Sequence, residues 1–290
     1  MKISEFLRLV RFEHAIMLAI AVFIGETVVL GHIPQLTSIP ILLSLLVPIF
    51  SEMGSFALND YLDIESDKLN KKTDRPLVSG TVSPGFAFSI SWIFLLTSII
   101  LAFFINTQAF LIAATFNILA IAYNYKLKDL PIVGNLYIAF TMGIPFIFGN
   151  FIIYPELRTV SIVLAALGFV SGLAREIVKS AQDMKGDILA RKASTLPILI
   201  GKKYSLLLAI LFYILFIPLS YLPFSYGLKM QSPSLALVFI GGIGVLYNTL
   251  LIYKAMEQED KSEKDYLKKA RNISLISLFI GLIGYLIAVI

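Results

Sequence analysis

Residues 40–67 read PILLSLLVPIFSEMGSFALNDYLDIESD: an apolar run over 40–58 passes directly into Asn59-Asp60-Tyr61-Leu62-Asp63-Ile64-Glu65-Ser66-Asp67. The apolar part is long enough to cross the hydrocarbon core of a bilayer, so the stretch reads as a membrane helix with acid and amide groups at its end. If the helix continues through the motif, Asp60, Asp63 and Asp67 fall at i, i+3 and i+7, and three carboxylates share one face. Like charges placed that closely repel and need a cation between them. Oxygen-only ligands with no His or Cys nearby point to a hard ion such as Mg²⁺. An acidic run alone is commonly a solvated loop. A second one, Asp183-Met184-Lys185-Gly186-Asp187, lies 120 residues downstream of Asp63 and Asp67 with the same spacing.

Working outward, the rest of the chain repeats the first half of that pattern. Of 290 residues 58% are hydrophobic and the mean hydropathy is +0.84, which sets aside a soluble domain and predicts an all-α, polytopic membrane protein. Apolar segments of spanning length occur at 15–31, 40–58, 84–105, 107–125, 131–153, 158–178, 204–224, 233–253 and 272–290. The expectation is nine transmembrane helices bundled around a central apolar cavity, in one membrane-embedded domain over 1–290. With no Cys, neither a disulfide framework nor a thiolate metal site is available, and His14 and His32 are too few for a His cluster. The basic N-terminus with Lys2, Arg8 and Arg11 has no small-residue cleavage pattern after it, so the first apolar run reads as a retained helix.

The net charge of +5 is explained by topology and does not call for nucleic acid. Twenty-one of the 24 Lys and Arg fall in residues 1–14, 59–83, 126–130, 179–203 and 254–271, the connectors on one side of the nine spans. That asymmetry predicts a cell-membrane protein with a cytoplasmic N-terminus and cytoplasmic large loops, and an odd number of spans puts the C-terminus outside. Both acidic motifs then open cytoplasmic loops, four spans apart. This offset predicts a parallel repeat, supported by the Pro76/Gly80 and Pro197/Gly201 pairs that follow the two motifs.

Two carboxylate groups at the cytoplasmic ends of two helices can face each other and each bind Mg²⁺. Bases lie beside them: Lys68, Lys71, Lys72 and Arg75 after the first motif, Arg175 and Lys179 before the second, and Lys126 and Lys128 in the loop that begins at Tyr123. Positive-inside topology accounts for any one of these, but acids, Mg²⁺ and Lys/Arg together are suited to gripping a diphosphate. Asn59 either caps its helix or ligates the metal through its carbonyl. Glu52, inside the second span, should point into the bundle or a wet cavity rather than lipid.

The pattern Asn59-Asp60-x-x-Asp63-x-x-x-Asp67, a basic stretch ending Arg75-Pro76, and Asp183-x-x-x-Asp187 after the sixth of nine spans resembles the UbiA superfamily of intramembrane prenyltransferases, over essentially the whole chain. The resemblance implies two Mg²⁺ ions held by Asn59, Asp63, Asp67, Asp183 and Asp187, and the shared helical face adds Asp60 to that metal set. It also implies an isoprenyl diphosphate bound through Lys68, Lys72, Arg75, Tyr123, Lys126, Lys128 and Arg175, with Asp63, Asp67, Asp183, Asp187 and Lys179 at the reacting centre. The family's Tyr-x-x-x-Lys element is imperfect here, since Tyr123 is followed by Lys at +3 and +5, which leaves Lys126 and Lys128 as alternatives. Arg175-Glu176-Ile177-Val178-Lys179 looks most like the archaeal ether-lipid branch. That branch implies transfer from geranylgeranyl diphosphate to the hydroxyl of the lipid acceptor geranylgeranylglyceryl phosphate. Aromatic acceptors, as in quinone or haem O synthesis, stay open. The rival class is a cation-coupled transporter, which Glu52 fits better; the densest acids begin where spans end, away from the midplane where transporter sites sit. A non-catalytic scaffold has no feature in its favour.

Overall fold

The computed structural model describes residues 2–69, 72–191, 194–258 and 260–290, without the side chains of 185–187, 190, 191, 260 and 261. Its elements are α1 Ile3–Leu9, α2 Phe12–Leu30, α3 Ile39–Leu62, α4 Ile64–Leu69, α5 Pro84–Phe103, α6 Thr107–Tyr125, α7 Val133–Ile153, α8 Thr159–Arg191, α9 Leu196–Ile200, α10 Lys202–Leu219, α11 Leu222–Ser225, α12 Ser232–Met256 and α13 Asp260–Ile287. Among the described residues nine helical segments are long and apolar enough to cross a membrane, at the nine expected places. Two ends differ from expectation. Helix α8 continues thirteen residues past 178, to Arg191, and α13 begins at Asp260 instead of 272. Both extensions are charged, so an apolar window cannot see them, although Ala, Glu, Lys and Arg propagate a helix well outside the hydrocarbon.

Small residues set how closely the spans approach, since lipid supplies no hydrophobic drive between helices. A Cβ on Gly168 in α8 would fall against the Met142 carbonyl of α7, and one on Gly143 in α7 against the Ala165 carbonyl of α8. Only glycine allows these two helices to lie so close. Buried amides join other spans where no water can satisfy them. In α6, Asn117 accepts from Ser51 Oγ of α3 at 2.5 Å and donates to Ser98 Oγ of α5 at 2.6 Å. Side chains such as Ile93, Ile100, Leu111, Ile118, Phe239 and Leu250 point outward and exposed, as lipid-facing residues do.

Helix α2 packs on α3, α7, α8 and α13, α8 on α10, and α12 on α13. Together these helices enclose an apolar cavity of about 170 Å³, lined for example by Met17, Met142, Leu164, Phe216, Val238 and Leu278.

Candidate active site

Helix α3 does not run through its acidic motif. It stops at Leu62, Asp63 takes the C-cap position with φ −94° and ψ 5°, and α4 restarts at Ile64. Asp60, on the last turn of α3, is 2% exposed and accepts from Arg11 and Arg75 at 2.9 Å each. The same Arg75 nitrogen also donates to Asp67, and Lys72 Nζ lies 3.2 Å from the other Asp67 oxygen. The cation that the repelling acids require is therefore, for Asp60 and Asp67, the Arg75 guanidinium. Asp63 pairs with Lys128 at 2.5 Å.

Lys128 comes from a short 3₁₀ turn, Leu127–Asp129, between α6 and α7. Gly134 in the first turn of α7 presses on this turn, with only 3.1 Å between a Cβ placed there and Lys128 Cα, so the base is held in place by backbone packing. Asn59 donates to Asp63 Oδ2 at 3.1 Å and to Asn124 Oδ1 at 3.0 Å, while Asn124 is anchored in turn on the Ser55 carbonyl. With both amide hydrogens committed, the carbonyl oxygen of Asn59 is the atom left to meet a cation.

These groups line a polar cavity of about 290 Å³. Of the residues singled out in the sequence, Asn59, Asp63, Asp67, Lys72, Arg75, Tyr123, Lys128, Lys179 and Asp183 all face it. Tyr123 is stacked on Tyr137 with ring centroids 4.8 Å apart, and Lys179 pairs with Glu176 at 3.1 Å. Four described residues lie elsewhere. Asp60 does not line the cavity: it is buried behind Arg75, whose Nη1 it shares with Asp67, and is held by Arg11 as well. Lys68 points out to Glu65, and Lys126 caps the end of α6 outside the cavity, which leaves Lys128 as the base on this wall. Arg175 lines the apolar cavity instead. At 100° per residue it sits about 80° around α8 from Asp183, whereas Glu176 sits only about 20° away. The side chain of Asp187 lies outside the described residues.

Several lining residues were missed in the sequence: Arg11, Ser66, Glu176, Ser180, Gln182, Thr195 and Lys264. Glu176, Lys179, Ser180 and Asp183 occur at i, i+3, i+4 and i+7, so helical spacing in α8 does carry the signal for two of them. Arg11 and Lys264 had only the general basic bias of their loops. The cavity draws on all five basic connectors, through Arg11, Asn59 to Arg75, Lys128, Lys179 to Thr195, and Lys264. The Ser194 amide donates to the Asp129 carbonyl at 3.0 Å and ties the loop after α8 to the turn that carries Lys128. Glu52 lines the apolar cavity and a smaller one of about 70 Å³ beside it, in keeping with its expected inward orientation.

A family model described as the UbiA prenyltransferase family matches residues 15–283. The chain belongs to this family. Its UbiA relatives include an Archaeoglobus fulgidus protein named digeranylgeranylglyceryl phosphate synthase, 34% identical over 96% of this chain and 92% of that one. A solved structure described as giving structural and mechanistic insights into digeranylgeranylglyceryl phosphate synthase in membranes is 29% identical. It covers 99% of this chain and 98% of that chain, with a TM-score of 0.75. A UbiA homologue from Archaeoglobus fulgidus, solved with GPP and Mg²⁺ bound, is 20% identical over 97% of this chain and 99% of its own, with a TM-score of 0.68, and shares the fold.

Proposed function

We propose that this UbiA-family chain transfers a geranylgeranyl group from geranylgeranyl diphosphate to the free hydroxyl of geranylgeranylglyceryl phosphate, with Mg²⁺ as the metal. The observation that carries the reading is the single polar cavity in which Asp63 and Asp67 from the first motif meet Asp183 from the second among Lys72, Arg75, Lys128 and Lys179. The name borne by the 34% identical relative supports the choice of acceptor.

The residues fit the metal. Asn59 Oδ1 and the carboxylates of Asp63, Asp67 and Asp183 line one cavity and are oxygen-only donors, which suits a hard cation, although no three acidic groups among the described residues are drawn together as ligands of one ion; in this reading the metal gathers them, with Asp187. Bound there, Mg²⁺ would withdraw charge from the diphosphate oxygens and so make a better leaving group. Arg75, Lys72, Lys128 and Lys179 turn their N–H groups from carboxylates to phosphate oxygens, and Tyr123 closes the same wall. The allylic C–O bond breaks with its electron pair leaving on the diphosphate. The acceptor hydroxyl oxygen then bonds to that carbon and gives up its proton to the departed diphosphate, the base that the step itself generates. The apolar cavity holds the isoprenoid and keeps water from the electron-poor carbon. In this reading the chain acts as one membrane-embedded domain. The polar cavity, where the five basic connectors meet, faces the cytoplasm, and the C-terminus lies outside.

The test is to incubate the purified protein in detergent with geranylgeranyl diphosphate, Mg²⁺ and a panel of acceptors, and to identify products by mass. The expected product is the diether from geranylgeranylglyceryl phosphate, lost in Asp63→Ala and Asp183→Ala and lost on chelation of Mg²⁺. Full activity in either variant, or turnover with an aromatic acceptor alone, overturns the proposal.

A further inference from the structure

We propose that Arg175 and Arg271 form a second anion site, separate from the diphosphate cavity, that receives the phosphomonoester of the acceptor lipid. The assignment rests on the function proposed above and specifies how its acceptor is held. Arg175 in α8 stands in the wall of the otherwise largely apolar cavity. Arg271 in α13 donates through Nη1 to Gln182 Oε1 at 2.8 Å, and Gln182 lines the polar cavity. Arg271 itself lines neither chamber; it reaches the polar one through Gln182, while Arg175 stands in the wall of the apolar one.

Three observations point to a missing anion. The Nε atoms of both arginines are buried without a hydrogen-bond partner. Neither guanidinium has an ion pair with a carboxylate among the described residues; Glu176, whose charge acts on Arg175, is bonded to Lys179 instead. The two charges are also close enough to act on each other, with the Tyr213 hydroxyl beside them. Two like charges with orphaned donors, set within membrane-spanning helices, are costly without a counter-ion. Arginine rather than lysine is the residue whose planar fork matches a phosphate bidentately.

The depth is right for an acceptor. Arg175 is eight residues before Asp183, about 12 Å deeper along α8. In geranylgeranylglyceryl phosphate the phosphate and the free hydroxyl are on adjacent carbons. A phosphate gripped by Arg175 and Arg271 therefore holds the hydroxyl just below the diphosphate cavity, where the allylic carbon emerges, and leaves the lipid tail among apolar helices.

The experiment measures equilibrium binding of radiolabelled geranylgeranylglyceryl phosphate, and of geranylgeranylglycerol without the phosphate, to the full chain in detergent. It also measures KM for donor and acceptor separately. The wild-type protein is expected to bind the phosphorylated form at least tenfold tighter. Arg175→Gln and Arg271→Gln are each expected to weaken that binding about 10- to 100-fold, the range for hydrogen bonds to a charged group, with the donor KM within twofold of wild type. Arg175→Lys and Arg271→Lys, which keep the charge but not the fork, should fall between. An unchanged donor KM also reports that each variant has folded. Equal wild-type affinity for the two lipids overturns the site. So does a rise in donor KM as large as the rise in acceptor KM, or displacement of the lipid by inorganic phosphate at equal concentration. If the wild-type chain forms no ether product, the proposed function fails on that measurement alone, and the binding preference still decides the site.

Discussion

Replacing Arg75 with Gln should destabilise the end of the protein that carries the polar cavity, by an amount set by its two carboxylate partners. Arg75 Nη1 bonds Asp60 and Asp67, each about 2% exposed. Removing one partner from a buried ion pair costs about 3–5 kcal/mol because the other charge is left in a poor solvent. Here Asp60 keeps Arg11 at 2.9 Å and Asp67 keeps Lys72 at 3.2 Å, so the loss belongs at the lower end, about 3 kcal/mol. Equilibrium unfolding in mixed micelles, followed by helicity, measures it. Asp60→Asn removes one of the two stranded charges, so the double variant should lose less than the sum of the single ones, with a coupling of about 1–3 kcal/mol. Additivity within about 0.5 kcal/mol, or a cost below about 1 kcal/mol for Arg75→Gln, would refute the argument that Arg75 is the cation between these acids. Asp60→Asn alone should leave the Mg²⁺ dependence of turnover unchanged, since Asp60 does not line the cavity.

Other substitutions separate residues that sit close together in sequence. Lys128→Ala, which removes a base in contact with Asp63, should lower kcat/KM about 10- to 100-fold, while Lys126→Ala should stay within twofold; steady-state assays with geranylgeranyl diphosphate decide. Gly168→Ala drives a methyl group onto the Met142 carbonyl and should cost about 1–3 kcal/mol in mixed-micelle unfolding, whereas Gly242→Ala, whose Cβ comes no nearer than 3.7 Å to Ile217, should be neutral. Gly242→Leu fills part of the apolar cavity, so turnover with geranylgeranyl diphosphate should fall at least about tenfold relative to geranyl diphosphate in a competition assay.

The spans were legible because crossing a bilayer needs a length of apolar sequence, and nothing in the loops disguises it. The two acidic motifs were legible for a related reason, as carboxylates have few uses directly after such a span. Their orientation was harder to read. Asp60 is buried behind Arg75 and Arg11, partners its own stretch does not reveal, and no local residue announces the break at Asp63, since Leu62, Asp63 and Ile64 would all tolerate a continuous helix. The choice between Lys126 and Lys128 depended on a 3₁₀ turn clamped by Gly134, a tertiary contact. Arg175 was placed with the diphosphate by proximity in sequence, although its angular position on α8 already set it apart from Glu176 and Asp183. Arg11 and Lys264 came from opposite ends of the chain, and only folding brings them to one wall.

That convergence bears on biogenesis. Membrane helices are inserted in order as the chain is made, and the polar cavity takes a side chain from before the first span and another from the start of the last. A chain released after eight spans has most of the acids and bases but lacks Lys264 in the cavity wall and Glu263, the partner of Lys202. Chemistry that makes an electron-poor carbon is damaging when water can reach it. The wall of the polar cavity is complete only once the last helix is in place.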